Sequence, residues 1–402
     1  MGDALERLRD AAADRAAAGV RRTMISRSAD SGGMLDLASN DYLGLCGDPR
    51  VTAGAVAAAT EWGTGSTGSR LVTGTTALHG RLESALAEFT RAPRALVLSS
   101  GYLANLAVVT ALAAALSSAR AGSGVLIVSD ERNHASLIDA GRLARGRRVR
   151  LAIAPHRDVA AVRALLADRT EESALVVTDA VFSVDGALAP AAALHGAARE
   201  HGALLVLDEA HALGVVGPGG TGVAVAAGIA HEPDVVRTVT LSKALASQGG
   251  AILGAPEVIE TVIDTGRGFI FDTGLAPPSA GAALAALGVL AAAPELAARV
   301  LANTRRLADI ALNLGMAPAP SGAAVLAITV GDAAAALQAR EICAKNAVRA
   351  GCFRPPSVPA GQACLRLTGR ATMTESDFAV ASRALASVRD HVEVDVNPTF
   401  RQ

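Results

Sequence analysis

Short apolar runs of four to six residues recur along the chain at 94–98, 124–128, 149–153, 174–178, 203–207, 235–240 and 250–254. Helix-length segments with returning polar positions separate most of them. That alternation predicts βαβ units, hence an α/β fold with a large, mostly parallel sheet covered by helices on both faces. A run such as Ala203-Leu204-Leu205-Val206-Leu207 has no polar position, as a strand buried on both faces requires. Ahead of the sheet, the pattern predicts a helix over 4–22, a short strand at 34–37 and a loop over 39–45. An Ala-rich helix near 50–60 and a Gly-rich loop over 63–74 follow. After Pro277-Pro278 the pattern changes to a long helical stretch ending near Gly315, then to candidate strands near 324–330 and 363–367. The expected division is an N-terminal segment, 1–38, packing with a small domain; a large α/β domain, 39–282; and a smaller C-terminal α+β domain, 283–402.

Composition narrows the class. Of 402 residues, 51% are hydrophobic, enough for a sizeable core. A net charge of −1 gives no electrostatic reason to expect nucleic acid or a membrane as partner. Cys46, Cys343, Cys352 and Cys364 form no C-x-x-C pair, which argues against a structural metal or disulfide framework and fits a reducing compartment. The N-terminus carries acids and no apolar targeting core, so the expectation is a soluble, cytoplasmic protein. Among 37 basic residues only Lys243 and Lys345 are lysines. Arginine is always protonated, whereas a desolvated lysine can lose its proton and attack a carbonyl. Lys345 falls in a polar helix. Lys243 falls between an apolar run and Gly249-Gly250, and is the first candidate for chemistry.

Two motifs mislead. Gly63-Thr-Gly65-Ser-Thr-Gly68 spells a dinucleotide fingerprint, but that fingerprint needs a preceding strand and 53–62 reads as helix. Asp208-Glu209-Ala210-His211 spells a helicase box, but neither lysine sits in a phosphate loop.

The ends of the apolar runs carry the chemistry. Ligands of open α/β sheets bind outside the carboxyl ends of the strands. Asp208 and His211 follow one run, Asp179 and Ser183 another, Asn133-His134 a third, and Ser99-Ser100-Gly101-Tyr102 opens a helix after a fourth. A helix N-terminus with a glycine suits a phosphate. Taken singly, Asp208 could be an N-cap, His134 a core histidine or a cap, and Gly101 a plain turn. Taken together with Lys243, they suit one cofactor, pyridoxal 5′-phosphate. It needs a lysine for its aldehyde, a carboxylate for its ring nitrogen, a helix terminus for its phosphate and a flat partner for its ring.

The motifs resemble those of the α-oxoamine synthases, pyridoxal-phosphate enzymes of the aspartate-aminotransferase fold (fold type I). The resemblance rests on Leu37-Ala-Ser-Asn-Asp-Tyr-Leu-Gly-Leu45, Gly65–Gly74, Ser100–Asn105, Asn133–Ser136, Phe182–Gly186, Asp208–Gly214, Thr240–Lys243 and Leu365–Thr368. It implies a homodimer with shared active sites. The implied reaction is a decarboxylating condensation of an amino acid with an acyl thioester, and the biotin-pathway branch with L-alanine and a pimeloyl thioester is the nearest in motif. Branches using glycine or serine, and an aminotransferase of the same fold, are the alternatives. By position, Lys243 would hold the cofactor and then act as base, Asp208 would pair with the ring nitrogen, and His211 and Ser183 would bond the ring oxygen. His134 would stack on the ring. Gly101, Tyr102 and Thr240 would hold the phosphate, and Thr273 would reach the phosphate of the neighbouring subunit. Arg366 would grip the amino-acid carboxylate and Asn40 would shape the substrate pocket. Arg21 is a candidate for the distal carboxylate of the acyl chain, against the alternative of plain surface solvation. Cys364, Asp272 and Met373 depart from residues common in the family, and bear on the choice of acyl chain.

Overall fold

The computed structural model describes residues 3–29, 32–118, 124–146 and 148–394. The short strand β1 (Leu35–Asp36) comes first, followed by the strands of a seven-stranded sheet: β2 (Arg94–Leu98), β3 (Val125–Asp130), β4 (Val149–Ala154), β5 (Ser173–Asp179), β6 (Leu204–Asp208), β7 (Val235–Thr240) and β8 (Gly250–Gly254). Their order is β2-β8-β7-β6-β5-β3-β4. Neighbours from β7 to β4 pair in parallel, and β8 runs antiparallel to both β7 and β2. The apolar runs are therefore strands, within a residue or two at each end. Full burial of every residue in β3, β7 and β8 explains why those runs do not alternate.

The core of this sheet joins Ile127, Leu175, Val206 and Ile252 to Val108 and Leu112 of the helix Gly101–Ser118. That helix has the length and hydropathy of a membrane span, but 44% of it is buried inside the protein, as in a core helix. The helix Pro49–Trp62 precedes the Gly-rich loop, so the dinucleotide spelling lacks its strand.

By contacts, the chain divides between Ser39 and Asn40 and between Leu301 and Ala302, with Val184–Gly186 grouped with the terminal segments. The second boundary corrects the expected one at 282. The helix Pro277–Ala292 lies with the large unit because it crosses Pro49–Trp62 through two glycines. A Cβ at Gly281 would lie 2.5 Å from the Gly54 carbonyl oxygen, so the backbones are in contact. The change of pattern at Pro277-Pro278 marks the start of that helix, since proline suits a first helical turn, and not the end of a domain. The bend comes later, where Pro277–Ala292 and Glu295–Asn313 meet at 84°.

In the smaller unit, β9 (Val325–Gly331), β10 (Val348–Arg349), β11 (Gly351–Phe353) and β12 (Ala363–Thr368) complete the strand set among the described residues. β11-β12-β9 form an antiparallel sheet, and β1 pairs in parallel with β10. Leu37, Leu326, Leu365 and Phe378 share its core. The N-terminal helix ends at Ala17, short of the expected residue 22, and none of its residues is buried.

Candidate active site

Parallel register brings the strand ends together. Asp179 of β5 pairs with Asp208 of β6, which pairs with Thr238 of β7. Gly250, the first residue of β8, pairs with both Leu98 of β2 and Thr240 of β7. Around these ends is a cavity of about 270 Å³ lined by Ser100, Gly101, Tyr102, Asn105, His134, Ser136, Asp179, Val181, Asp208, Ala210, His211, Thr240, Ser242 and Lys243. Lys243 lies on the loop between antiparallel neighbours β7 and β8, half-buried, with Nζ 2.9 Å from His211 Nε2. Lys345 sits exposed at the end of the helix Ala333–Lys345 in the other unit.

Asp208 is only 6% exposed. Its Oδ1 accepts from the Ala210 N–H at 2.8 Å and its Oδ2 from Asn105 Nδ2 at 2.6 Å. Asn105 also donates to Ser136 Oγ at 2.8 Å and accepts from Thr238 Oγ1 at 2.6 Å, so both of its N–H groups and its oxygen are engaged and its amide orientation is fixed. His134 caps the helix Ala135–Ala144, its Nδ1 accepting from the Ser136 N–H at 3.2 Å. It is thus both an N-cap and a cavity wall. The capping bond takes Nδ1, leaving Nε2 as the protonated nitrogen of a neutral ring, and burial lowers the ring's pKa, outweighing the pull of Asp208. Asp179 is 2% exposed, and its carboxylate accepts from the His134 backbone N–H at 3.2 Å. Burial raises its pKa well above the usual carboxylate range, and the adjacent Asp208 raises it further.

The anion cup is built from backbone. Gly101 and Tyr102 supply the first amides of the helix Gly101–Ser118, amides that an α-helix leaves without internal acceptors. Ser100 Oγ takes the Leu103 N–H at 3.1 Å, and Thr240 Oγ1 lies 2.7 Å from Ser242 Oγ. The cup is tight: a Cβ on Gly250 would lie 2.5 Å from Gly101 Cα, and one on Gly101 would lie 3.0 Å from Thr240 Cβ.

These groups fit pyridoxal 5′-phosphate. The chemistry of the donor set matches it part for part: an amine, a buried carboxylate with fixed orientation, a neutral ring on the wall, and a glycine-floored helix terminus. The residues that could hold it are Lys243, Asp208, His211, His134, Gly101, Tyr102 and Thr240.

The other expected site residues stand differently. Ser183 lies in the turn two residues beyond Val181 and does not line the cavity. Asn40 is not among the residues that line the cavity, and its Oδ1 accepts from Tyr42 Oη at 3.1 Å. Thr273 is exposed and bridges to Ser69 of the Gly-rich loop. Arg366, in β12 of the smaller unit, is 3% exposed, with its guanidinium 5.6 Å from the Phe353 ring. Arg21 is exposed beyond the N-terminal helix. The sequence reading placed Asp179 at a contributing strand end without giving it a role, and gave no role to Asn105 or Ser136, which also line the cavity. The signal for Asn105 was present, because it is the one amide side chain in a helix with no charged residue. Glu209, of the helicase-like spelling, is fully buried and accepts from the Ala224 N–H at 2.7 Å, which makes it structural.

A family model, aminotransferase class I and II, matches residues 32–385. An 8-amino-7-oxononanoate synthase from Mycobacterium sp. (strain JLS) is 53% identical over 381 residues, 95% of this chain and 96% of that protein. Among solved structures, a serine palmitoyltransferase from S. paucimobilis with bound PLP and myriocin is similar with a TM-score of 0.85 and 26% identity, covering 96% of this chain and 98% of that one. An 8-amino-7-oxononanoate synthase from Francisella tularensis shares the fold, with a TM-score of 0.73 and 24% identity over 90% of this chain and 98% of that one.

Proposed function

The chain belongs to the aminotransferase class I and II family, within it to the 8-amino-7-oxononanoate synthases, and from that premise we propose how its residues work. The reaction is the condensation of L-alanine with a pimeloyl thioester, on coenzyme A or on acyl carrier protein. It gives 8-amino-7-oxononanoate, the free thiol and CO₂, a step of biotin biosynthesis. The observation that carries the reading is the convergence of Lys243, Asp208, His211, His134 and the Gly101 turn on one cavity.

Pyridoxal 5′-phosphate, when bound, supplies an aldehyde that condenses with amines and a protonated ring that takes up the electron pair left at the substrate α-carbon. Lys243 would hold the cofactor through its aldehyde and would serve as the base for the substrate α-proton. Asp208, oriented by Asn105 and Ala210, keeps a proton at the ring nitrogen. His211, with Ser183, would bond the ring oxygen, and His134 would take the ring face. The Gly101 and Tyr102 amides and the Thr240 hydroxyl take the phosphate. Arg366 pairs with the substrate carboxylate through its planar fork, Asn40 shapes the pocket, and Arg21 meets the distal carboxylate of the acyl chain.

A homodimer is the assembly this reading calls for, with Thr273 reaching the neighbouring subunit's phosphate. The exposed apolar side chains Phe271, Leu71 and Val72 on the two joined loops around Thr273 support it. Four free cysteines support a reducing, cytoplasmic setting.

The test follows thiol release from a panel of acyl thioesters with alanine, glycine and serine. Release with alanine and pimeloyl thioester is the expected result, and release only with glycine sinks the proposal. The Lys243→Ala variant should lose turnover; full activity in it would remove Lys243 from the chemistry.

A further inference from the structure

His79 is fully buried in the first turn of the helix Ala77–Thr90 and does not line the cavity. Its Nε2 lies 2.8 Å from the Leu275 carbonyl oxygen. Its Nδ1 lies 3.2 Å from the Thr76 backbone nitrogen and 2.8 Å from Thr76 Oγ1. A carbonyl oxygen only accepts and a backbone N–H only donates, so Nε2 carries the hydrogen and Nδ1 is bare. Burial first, and then the Arg70 charge, lower the ring's pKa and favour this neutral form.

The Leu275 carbonyl ends a short segment that is tied at every residue. Asp272 accepts from Ser99 Oγ, and Thr273 bridges to Ser69. The Gly274 N–H donates to the Gly68 carbonyl at 3.0 Å. The Leu275 carbonyl accepts from Ser66 Oγ at 2.6 Å as well as from His79. Ser66, Gly68 and Ser69 belong to the Gly-rich loop, so their bonds join one loop to another. Ser99 lies just beyond β2. His79 ties the segment to a helix, which itself packs on β2 and on the helix Pro277–Ala292.

We propose that His79 is a positioning residue: it fixes the Leu275 carbonyl to the helix Ala77–Thr90 and thereby sets where Thr273 stands. The inference rests on the reading of Thr273 as the residue that reaches the neighbouring subunit's phosphate. Thr273 is exposed and lies two residues from the fixed carbonyl. A hydroxyl bonds an anion only within about 2.5–3.0 Å, so a loop displaced by about 1 Å loses the contact. The effect of His79 is therefore felt in trans, where the helix of one subunit governs the phosphate affinity of the other.

Mixed dimers of full-length chains, isolated through two different affinity tags, test this. Lys243→Ala in one chain leaves a single site with a lysine, and the absorbance of lysine-bound pyridoxal phosphate reports on that site alone. His79→Asn keeps an acceptor for the Thr76 N–H but is too short to reach Leu275. With Lys243→Ala and His79→Asn in the same chain, the remaining lysine site depends on the altered loop. Its affinity for pyridoxal phosphate should fall at least about tenfold, the loss of one hydrogen bond to a charged group, and inorganic phosphate should compete less well. With the two substitutions in different chains, that site is served by an unaltered loop and should bind normally. His79→Gln, which keeps both a donor and an acceptor, should bind normally in either arrangement. Equal affinity in the two arrangements of His79→Asn overturns the proposal, because a merely structural role would act within its own subunit. Thr273→Ala in the same arrangements separates the two readings. If it has no effect in trans, the reading of Thr273 fails and the inference falls with it; if it acts in trans and His79→Asn does not, the role of His79 alone is overturned. ¹⁵N NMR of the unsubstituted protein, with His79 assigned by its loss in His79→Gln, needs no weakened variant. It should show Nε2 protonated and Nδ1 bare, and the opposite tautomer also overturns the proposal.

Discussion

Asn105 donates its side-chain amide to Asp208 Oδ2 at 2.6 Å from inside a helix that carries no charged residue. The same nitrogen donates to Ser136, whose hydroxyl lies 2.7 Å from His134 Nδ1. One side chain therefore fixes the carboxylate proposed for the ring nitrogen and, through Ser136, the imidazole proposed for the ring face. Thr238, from β7, holds the other end of that amide. The carboxylate and the imidazole are positioned as a unit.

Asn105→Ala tests this coupling. It leaves the hydrogen bonds of Asp208, Ser136 and Thr238 unmade in a buried site, where each orphaned group costs about 1–3 kcal/mol. The urea midpoint should fall, and pyridoxal-phosphate release, followed by absorbance, should become faster. A variant with unchanged midpoint and unchanged release would show that Asp208 is held by other means.

Much of this arrangement was legible in the chain because strand ends and motifs coincide. Asp208 and Thr240 each close an apolar run, so their place at the carboxyl edge follows from the run itself. Lys243, Gly101 and His134 stand within a few residues of such ends. Tyr42 was quoted inside a motif, yet its contact with His211 spans 169 positions and depends on how the 40–45 loop folds back, which no local pattern encodes. The boundary near 301 was hidden for a related reason. Pro277-Pro278 is a strong local signal, but membership in a domain is decided by the Gly54–Gly281 crossing of two distant helices.

Asp179 should make stability depend on pH. Burial first, and then Asp208, raise its folded pKa above the ordinary value of 3.8. The unfolded chain therefore loses this proton more readily than the folded one. The stabilising contribution is complete below the ordinary value and is lost as pH rises through the raised one. Asp179→Asn keeps an acceptor for the His134 N–H and removes the ionisation. Urea midpoints of the cofactor-free protein, measured upward from about pH 4, should decline less steeply in the variant. Parallel curves for the two proteins would refute the assignment.

Arg70 is a structural prediction away from the chemistry. Its guanidinium donates to Glu83 Oε1 and to the Val97 carbonyl, each at 2.8 Å, and to Thr75 Oγ1 at 2.9 Å. The pair is largely buried, with the arginine side chain 6% and the glutamate 18% exposed. Arg70→Ala strands Glu83 beside β2 and should cost about 3–5 kcal/mol in chemical denaturation. The double variant Arg70→Met with Glu83→Leu should recover most of that loss, because no unpaired charge is left. A double variant as unstable as the single would show that the arginine acts mainly through the Val97 carbonyl.

Gly250→Ala should damage the phosphate cup more than the fold around it. The added Cβ would meet Gly101 Cα and Gly101 N at 2.5 Å and Ser100 C at 2.6 Å. All three are backbone atoms, so no side chain can turn aside to make room. Gly250 pairs with Leu98 and Thr240, so its own strand is held on both sides. The helix start at Gly101 is the part free to move, carrying the first amides away from the anion. Overpacking of this kind costs about 1–3 kcal/mol. If the strain falls on the cup, each 1.4 kcal/mol weakens cofactor binding about tenfold. Gly80→Ala is the control: it lies on an exposed helix face with nothing within 4 Å of the new methyl. Fluorescence or absorbance titration with pyridoxal phosphate should show weaker binding in Gly250→Ala, and inorganic phosphate should compete less well for the cup. Gly80→Ala should bind as the unsubstituted protein does and gain up to about 1 kcal/mol in stability. Equal affinity in Gly250→Ala would mean that the sheet, and not the helix terminus, yields to the methyl group, and the anion cup would have to be placed elsewhere.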